Sequence, residues 1–467
     1  MRAAFVVGAM SLLGFGACEA TPELLGTDTG VAGARGGKAD RDEIPADWLR
    51  GIAATALVVD LEAMEATAQL RLDPADGGSC ETGRGCVASF EAAGLDVREV
   101  LGPNGPLDYE RREGDLHVVV GAADSLTVRY GFKQQDPSQG LGPAGSTSVW
   151  PTYCGNLFPC HSDPWDGTTF ELTVVGVSEE LTAIYPERIT TETPAYTLAF
   201  ATGKYECQVL GETRAGTEVS VCWVRKVGGG ANGPRGKALR GTESLTAVFD
   251  WLEASLGAYA FGDEVASVSV DWGDGAVGGM EHHPFWHVSD SEIEEPLLHA
   301  HEAAHGWFGA GVRIACWEDL VLSEGTVSYL AARAIGAASG AEAEQQVWVD
   351  YAAELEAALV EEGDQAVLPA TCGEVDVLEG LWGNVLYMKG AFFFRDYGDA
   401  VGHDVLVEAL GAFYRERVGT AARTTELLEH LERATGADTE VFAAKWLTGL
   451  GNPLAAAPCD REPCATP

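Results

Sequence analysis

HEAAHGWFGAGVRIACWEDLVLSEG, residues 301–325 of a 467-residue chain, places two histidines four apart, a glutamate directly after the first, and another glutamate at position 324. Positions i and i+4 of a helix share a face, so His301 and His305 can each offer an imidazole nitrogen to one ion at roughly 2.0–2.1 Å. Two histidines leave zinc under-coordinated. Glu324, opening the next helix in LSEGTVSYL, supplies a third ligand and leaves a fourth position for water. Glu302 lies about 100° around the helix from His301, so it is no ligand, but it can reach that water as a general base. The pattern predicts one Zn2+ per chain. Histidine pairs on helices are more often packing or surface residues, and Glu324, at its distance and in its helix-opening context, weighs against that reading here.

Composition narrows the remaining options. With 46% hydrophobic and 22% charged residues the chain reads as globular, and its length calls for at least two domains. A formal charge of -41 repels nucleic acid and anionic lipid, so neither is expected as a partner. The first residues, MRAAFVVGAMSLLGFGACEA, carry one arginine, an apolar run of signal-peptide length and small residues before Cys18. Phe15-Gly16-Ala17-Cys18 resembles the lipobox of bacterial lipoproteins, with the cysteine as lipid anchor. Phe15 departs from the aliphatic residue usual there, which leaves ordinary secretory cleavage open. Export to a cell envelope, with membrane contact only through that anchor, is the expectation.

Eleven cysteines fit this compartment. With Cys18 set aside, proximity pairs Cys80 with Cys86, Cys154 with Cys160, Cys207 with Cys222, Cys316 with Cys372, and Cys459 with Cys464.

Residues 1–18 are read as the signal segment, 19–48 as a Gly- and Thr-rich tether, 49–228 as an N-terminal β-domain, 229–455 as a catalytic domain and 456–467 as a tail. Alternation at Ala68/Leu70/Leu72, Leu126/Val128/Tyr130, Phe170/Leu172/Val174 and Tyr196/Leu198/Phe200 predicts strands of an antiparallel sandwich or saddle. KVGGGANGPRGKALRG, 226–241, reads as a linker by composition. Beyond it the period is helical: Leu245, Val248, Phe249, Leu252 and Leu256 form one stripe, and others recur near 292–309, 322–337, 343–360, 384–397, 402–417 and 423–434. The fold class is therefore multidomain α+β, a β-domain followed by a mainly helical domain.

HEAAHGWFG, WEDL and LSEG resemble peptidase family M1, the aminopeptidase N family, whose pattern is HExxHxWFGN then WxDLWLNEG. Ala310, Val321 and Ser323 depart from it without touching a ligand position. GGMEHH, 278–283, is similar to the family's GxMEN, and YMKG, 387–390, to its YxKG. YCGNLFPCHSDP resembles FPCFDEP of the family's β-domain, and FAAKWLTGLGNP resembles the close of its catalytic domain. The resemblance implies a thermolysin-like catalytic domain and an aminopeptidase acting on peptide substrates. It gives Glu281 the substrate's α-amine, with Gly278, Gly279 and Met280 beside it in the substrate-binding stretch, and gives Tyr387 the developing oxyanion. Asp319 and Glu318 are expected to accept the second N–H of the liganding imidazoles.

Two departures bear on function. The position near Trp150 where the family places a second amine-binding Glu or Gln holds neither. The sequence also stops where many members continue into a helical domain over the cleft, so the reading expects a short form with an open site. An endopeptidase with an open cleft is the alternative, and a non-catalytic peptide-binding surface protein a further one. His282, His283 and His287 are spaced as a loop and are not expected to hold a second metal. His299 should face away from the site.

Overall fold

The computed structural model describes residues 50–74, 87–137, 139–226, 230–273, 278–368, 371–373 and 383–455. The expected signal segment, lipid anchor, tether, tail, and the pairs Cys80–Cys86 and Cys459–Cys464 lie outside the described residues.

Alternating sequence builds the first half. A seven-stranded sheet runs in the order Arg188–Thr193, Thr168–Val175, Ile52–Asp60, Glu65–Leu72, Ser125–Gly131, Asp96–Gly102 and Gly105–Pro106. Ala66, Ala68, Leu70 and Leu72 point one way into the core, as do Phe170, Leu172 and Val174, because successive side chains of a strand face opposite sides. Pairing is antiparallel except between Ile52–Asp60 and Thr168–Val175, which run parallel with Leu57 opposite Leu172. A three-stranded sheet, Val87–Glu91, Asp115–Val119 and Tyr109–Arg112, contributes Phe90, Leu116 and Val118 to the same core.

Residues 196–200 are not a strand. Pro194 precedes a tight 3-10 turn, Ala195–Thr197, and the Thr197 hydroxyl donates to the Pro194 carbonyl at 2.8 Å, closing it. Apolar alternation reports burial of Tyr196, Leu198 and Phe200, which is correct, but the turn sets their direction. Residues 234–241 are likewise not a linker: Pro234, at the first helical position where its missing N–H costs nothing, opens a helix over Pro234–Gly241.

The second half is built on a five-stranded sheet in the order Tyr205–Glu212, Glu218–Val224, Glu264–Val270, Phe285–Ser289 and Gly279–Met280. Its first two strands, grouped with the β-domain by their alternation, pair onward with the catalytic half, Val219 lying opposite Val265. Cys207 and Cys222 face each other across that hairpin and are bonded, as are Cys154–Cys160 and Cys316–Cys372.

Helices cover this sheet. All five stripe residues of Leu245–Leu256 are buried, each contributing about 1.5–3 kcal/mol of transfer free energy. Pro296–Ala304, Thr326–Ser339, Ala341–Glu361, Asn384–Val401, His403–Arg417 and Thr424–Thr435 fall where the helical period placed them, with Glu440–Trp446 added. Arg313 clamps the two halves: its buried guanidinium donates to the carbonyls of Trp165 and Glu192 on one side and Gly419 on the other. Among the described residues no helix is long and apolar enough to cross a membrane.

Candidate metal centre

The short helix Pro296–Ala304 carries His301, and His305 continues it in helical geometry as its C-terminal residue. A π-helical turn, Val321–Gly325, presents Glu324 to both. The two Nε2 atoms are 3.2 Å apart, and Glu324 Oε2 lies 3.2 Å from that of His301 and 3.4 Å from that of His305. Ligands at 2.0–2.1 Å in a tetrahedron are separated by about 3.3–3.4 Å, so the three donors match a zinc site. All three side chains are buried. The His305 Nδ1–H donates to the Phe308 carbonyl at 3.0 Å, which leaves Nε2 as the free donor towards a metal.

Three glycines make this geometry feasible. Gly309 has φ +102°, and a Cβ there would meet Ser323 Oγ at 2.6 Å and His305 Nδ1 at 2.7 Å. Gly325 and Gly390 pack backbone to backbone, a Cβ on either falling within 2.8 Å of the other's Cα. That approach brings the helix Asn384–Val401 against the ligand turn and lays the Tyr387 ring on His301, with centroids 6.0 Å apart and planes at 20°. Burial raises the Tyr387 phenol well above its ordinary range, with the Glu324, Glu281 and Glu302 charges adding to it.

Glu302, on the same helix as His301, and Glu281 converge beside His305. One carboxylate oxygen of each and a nitrogen of His305 lie within 4.8 Å of one another. Gly279, on the edge strand, leaves room for Glu302, whose Oε1 would lie 2.2 Å from a Cβ there. Glu302 Oε2 is buried and has no hydrogen-bond partner among the described residues. Gly278 and Met280 flank the same edge: Gly278 accepts a backbone bond from Ser289, and Met280 pairs with His287.

The electrostatics call for a cation. Burial pushes the Glu302 carboxyl well above its usual range, Glu281 and Glu324 adding to this against His305. Burial also raises Glu281, with His305 opposing. At Glu324 burial acts in the same direction, but the His305 charge and the histidine hydrogen bonds overcome it and hold the group at about 2. His305, which burial alone would depress, is held at about 10 by Glu324, Glu281 and Glu302. Three buried carboxylates thus draw positive charge to the ligand cluster, and a divalent cation meets that demand.

The neighbouring residues sort differently from expectation. Asp319 does not reach the histidines: it accepts from the Thr424 backbone N–H at 2.9 Å and pairs with Arg423, while Glu318 accepts from the Gly373 N–H at 2.5 Å. Both carboxylates fasten the loop ahead of Glu324, and the Phe308 carbonyl orients the His305 imidazole. His283, held neutral by burial at about 3, accepts from the Tyr259 hydroxyl and donates to the Glu302 carbonyl, fixing the helix backbone. His299 faces away, between Ser267 and Ile293. Rings of His282 and His287 meet at 4.6 Å, and no third metal-ligating group joins them among the described residues. Tyr196 is a residue near the site that sequence reading missed: its ring packs on Trp317 of the ligand loop, and its apolar neighbours Leu198 and Phe200 made it look like plain core.

Residues 289–446 match the Peptidase family M1 domain. Among curated relatives, "Probable aminopeptidase 1" of Sulfurisphaera tokodaii is 24% identical over 406 residues, covering 78% of this chain and 50% of its own length. The chain spans half or less of the length of the curated relatives it matches first. Among solved structures, an M1 zinc metallopeptidase from Deinococcus radiodurans superposes with a TM-score of 0.69 at 17% identity, covering 86% of this chain and 95% of that one. A mutant of that protein, bound to a Tyr-Ser-Ala substrate, superposes with a TM-score of 0.68 at 17% identity over the same shares. At these identities the structures establish the fold, a β-rich domain followed by a helical one. The donor set His301, His305 and Glu324 fits zinc.

Proposed function

We propose that this protein is a zinc aminopeptidase that removes N-terminal residues from peptides, with one Zn2+ per chain on His301, His305 and Glu324. The observation that carries the reading is the convergence on one buried point of three ligand atoms at tetrahedral spacing, an unpartnered carboxylate oxygen and a second buried glutamate. Bound there, zinc supplies Lewis acidity towards the scissile carbonyl and acidifies water. Glu302 Oε2 accepts the proton of the attacking water and returns it to the leaving amine. The Tyr387 hydroxyl, kept protonated by burial, donates to the carbonyl oxygen as charge develops on it. Glu281 receives the substrate's α-ammonium, which fixes the register so that one residue is released, and Gly278, Gly279 and Met280 form the strand edge along which the peptide lies. The substrate-bound Deinococcus radiodurans relative supports a peptide as substrate. We further propose export and anchoring through Cys18, supported by the leader sequence and by three disulfides among the described residues.

A peptide library, half of it N-acetylated, followed by mass spectrometry with and without a zinc chelator, tests this. Chelator-sensitive, stepwise loss from free N-termini alone is expected. Cleavage of acetylated peptides at internal bonds would instead establish an endopeptidase.

A further inference from the structure

Glu302 sits where its own helix holds it poorly. It lies in the last turn of the nine-residue helix Pro296–Ala304, whose final four carbonyls have no partner within the helix. In a continued helix the Gly306 N–H would serve the Glu302 carbonyl, but it turns to Ala303 at 3.2 Å instead. The side chain offers no second anchor through Oε2, which has no hydrogen-bond partner among the described residues. Another element supplies the missing bond. His283 Nε2–H donates to the Glu302 carbonyl at 2.9 Å, and His283 Nδ1 accepts from the Tyr259 hydroxyl at 2.7 Å. A carbonyl can only accept, so the first bond fixes which ring nitrogen carries the proton. The ring is 1% exposed and boxed by Trp286, Tyr259 and Phe261, with centroids at 5.5, 5.7 and 5.7 Å.

Room for this arrangement comes from Gly306. A Cβ there would lie 2.7 Å from the Tyr259 ring and 3.1 Å from His283 Cε1. Gly306 occupies a position that the pattern HExxHxWFGN leaves open, so the glycine answers to this chain's own His283 and Tyr259. The backbone N–H of His283 also donates to the Glu281 carbonyl at 2.8 Å. One residue thus ties the helix of Glu302 to the strand edge of Glu281.

We propose that His283 is a positioning residue for the reaction: the bond from its ring to the Glu302 carbonyl holds the Glu302 carboxylate in place beside the ligand cluster, while Tyr259 and Gly306 hold the ring. This rests on the reading of Glu302 as general base. His305 is oriented separately, by the Phe308 carbonyl, so losing the His283 bond moves the base more than the ligands. A displacement of about 1 Å in a reacting group is enough to cost on the order of 10²-fold in rate.

His283→Leu removes the donor, and His283→Gln keeps an amide N–H for the carbonyl. Steady-state kinetics on an aminoacyl anilide, with metal analysis, are compared in the full chain for the wild type, both variants, E302Q and E302Q/H283L. H283L should lower kcat by about 10- to 100-fold with KM unchanged and zinc retained. H283Q should recover most of that loss. In E302Q the H283L change should cost nothing further, because no base is left to position. Gly306→Ala removes no polar group and only crowds the ring, so it should lower kcat in the same way and serves where His283→Leu does not fold. Wild-type kcat in H283L or in Gly306→Ala overturns the proposal. So do loss of zinc, an effect confined to KM, an equal further loss in E302Q, or an H283Q as impaired as H283L, each of which marks a merely structural histidine. Turnover that persists in E302Q would overturn the reading of Glu302 as base, and this inference with it; an inactive E302Q beside a fully active H283L overturns this inference alone.

Discussion

Replacing Gly309 by alanine should cost zinc affinity, although Gly309 binds no metal. Its φ of +102° is one that L side chains rarely adopt, at a cost of roughly 1–3 kcal/mol. The added methyl would also lie 2.7 Å from His305 Nδ1 and 2.6 Å from Ser323 Oγ, and relieving such overpacking costs typically about 1–3 kcal/mol. The second contribution matters more for function, because it displaces the imidazole whose Nδ1–H donates to Phe308. Disturbing such an orienting bond lowers metal affinity by about 10- to 100-fold. Gly436→Ala is the control: φ there is +75° with nothing within 4 Å of an added Cβ, so it should cost about 1 kcal/mol of stability and leave zinc alone. The assay is competition for zinc against a chromophoric chelator, paired with thermal unfolding of the metal-free and zinc-loaded forms. Equal zinc affinity in the wild type and Gly309→Ala would refute the reasoning that this glycine exists to seat His305.

Three further substitutions have expected outcomes. Gly390→Ala should separate the Tyr387 helix from the ligand turn by the width of a methyl group, lowering kcat by more than tenfold while zinc stays bound, as kinetics and metal analysis would show. Asp166→Asn breaks the buried pair with His161, a loss of about 3–5 kcal/mol where that pair is charged. Burial disfavours the His161 cation, but the Asp166 hydrogen bond and charge outweigh it and raise its pKa. This contribution is therefore complete below about 6.5 and fades as pH rises through the raised value, so denaturant unfolding should show a larger difference between variant and wild type at pH 6 than at pH 9. Cys18→Ser should move the protein from the detergent to the aqueous phase on phase partitioning of expressing cells; unchanged partitioning would remove the lipid anchor from the account.

Much of the site was legible because its chemistry is local. His301, Glu302 and His305 share one helix, so spacing alone fixes which residues share a face. Glu324 was legible because a ligand must come from somewhere close, and LSEG opens a helix. What the sequence did not reveal are relations between segments. Alternation in Tyr205–Glu212 and Glu218–Val224 reports half-buried strands but not their partner, and pairing with Glu264–Val270 places them in the catalytic sheet. Asp319 stood next to the motif, yet its carboxylate holds Thr424 and Arg423, a matter of tertiary contact. The glycines of LSEG and YMKG carry no sign of a partner in the sequence, and only the tertiary structure brings the backbones of Gly325 and Gly390 together. Tyr196 was hidden for the same reason, since a buried tyrosine among apolar residues carries no sign that its ring packs on Trp317 of the ligand loop.

Glu302→Gln tests the central claim most directly. The amide keeps the shape beside Gly279 and touches no ligand atom, so metal analysis should still find one zinc per chain and calorimetry should still detect peptide binding. Turnover should fall by a factor on the order of 10²–10⁴, because the amide cannot accept the proton of the attacking water. Unchanged turnover in a zinc-loaded Glu302→Gln protein would contradict the account.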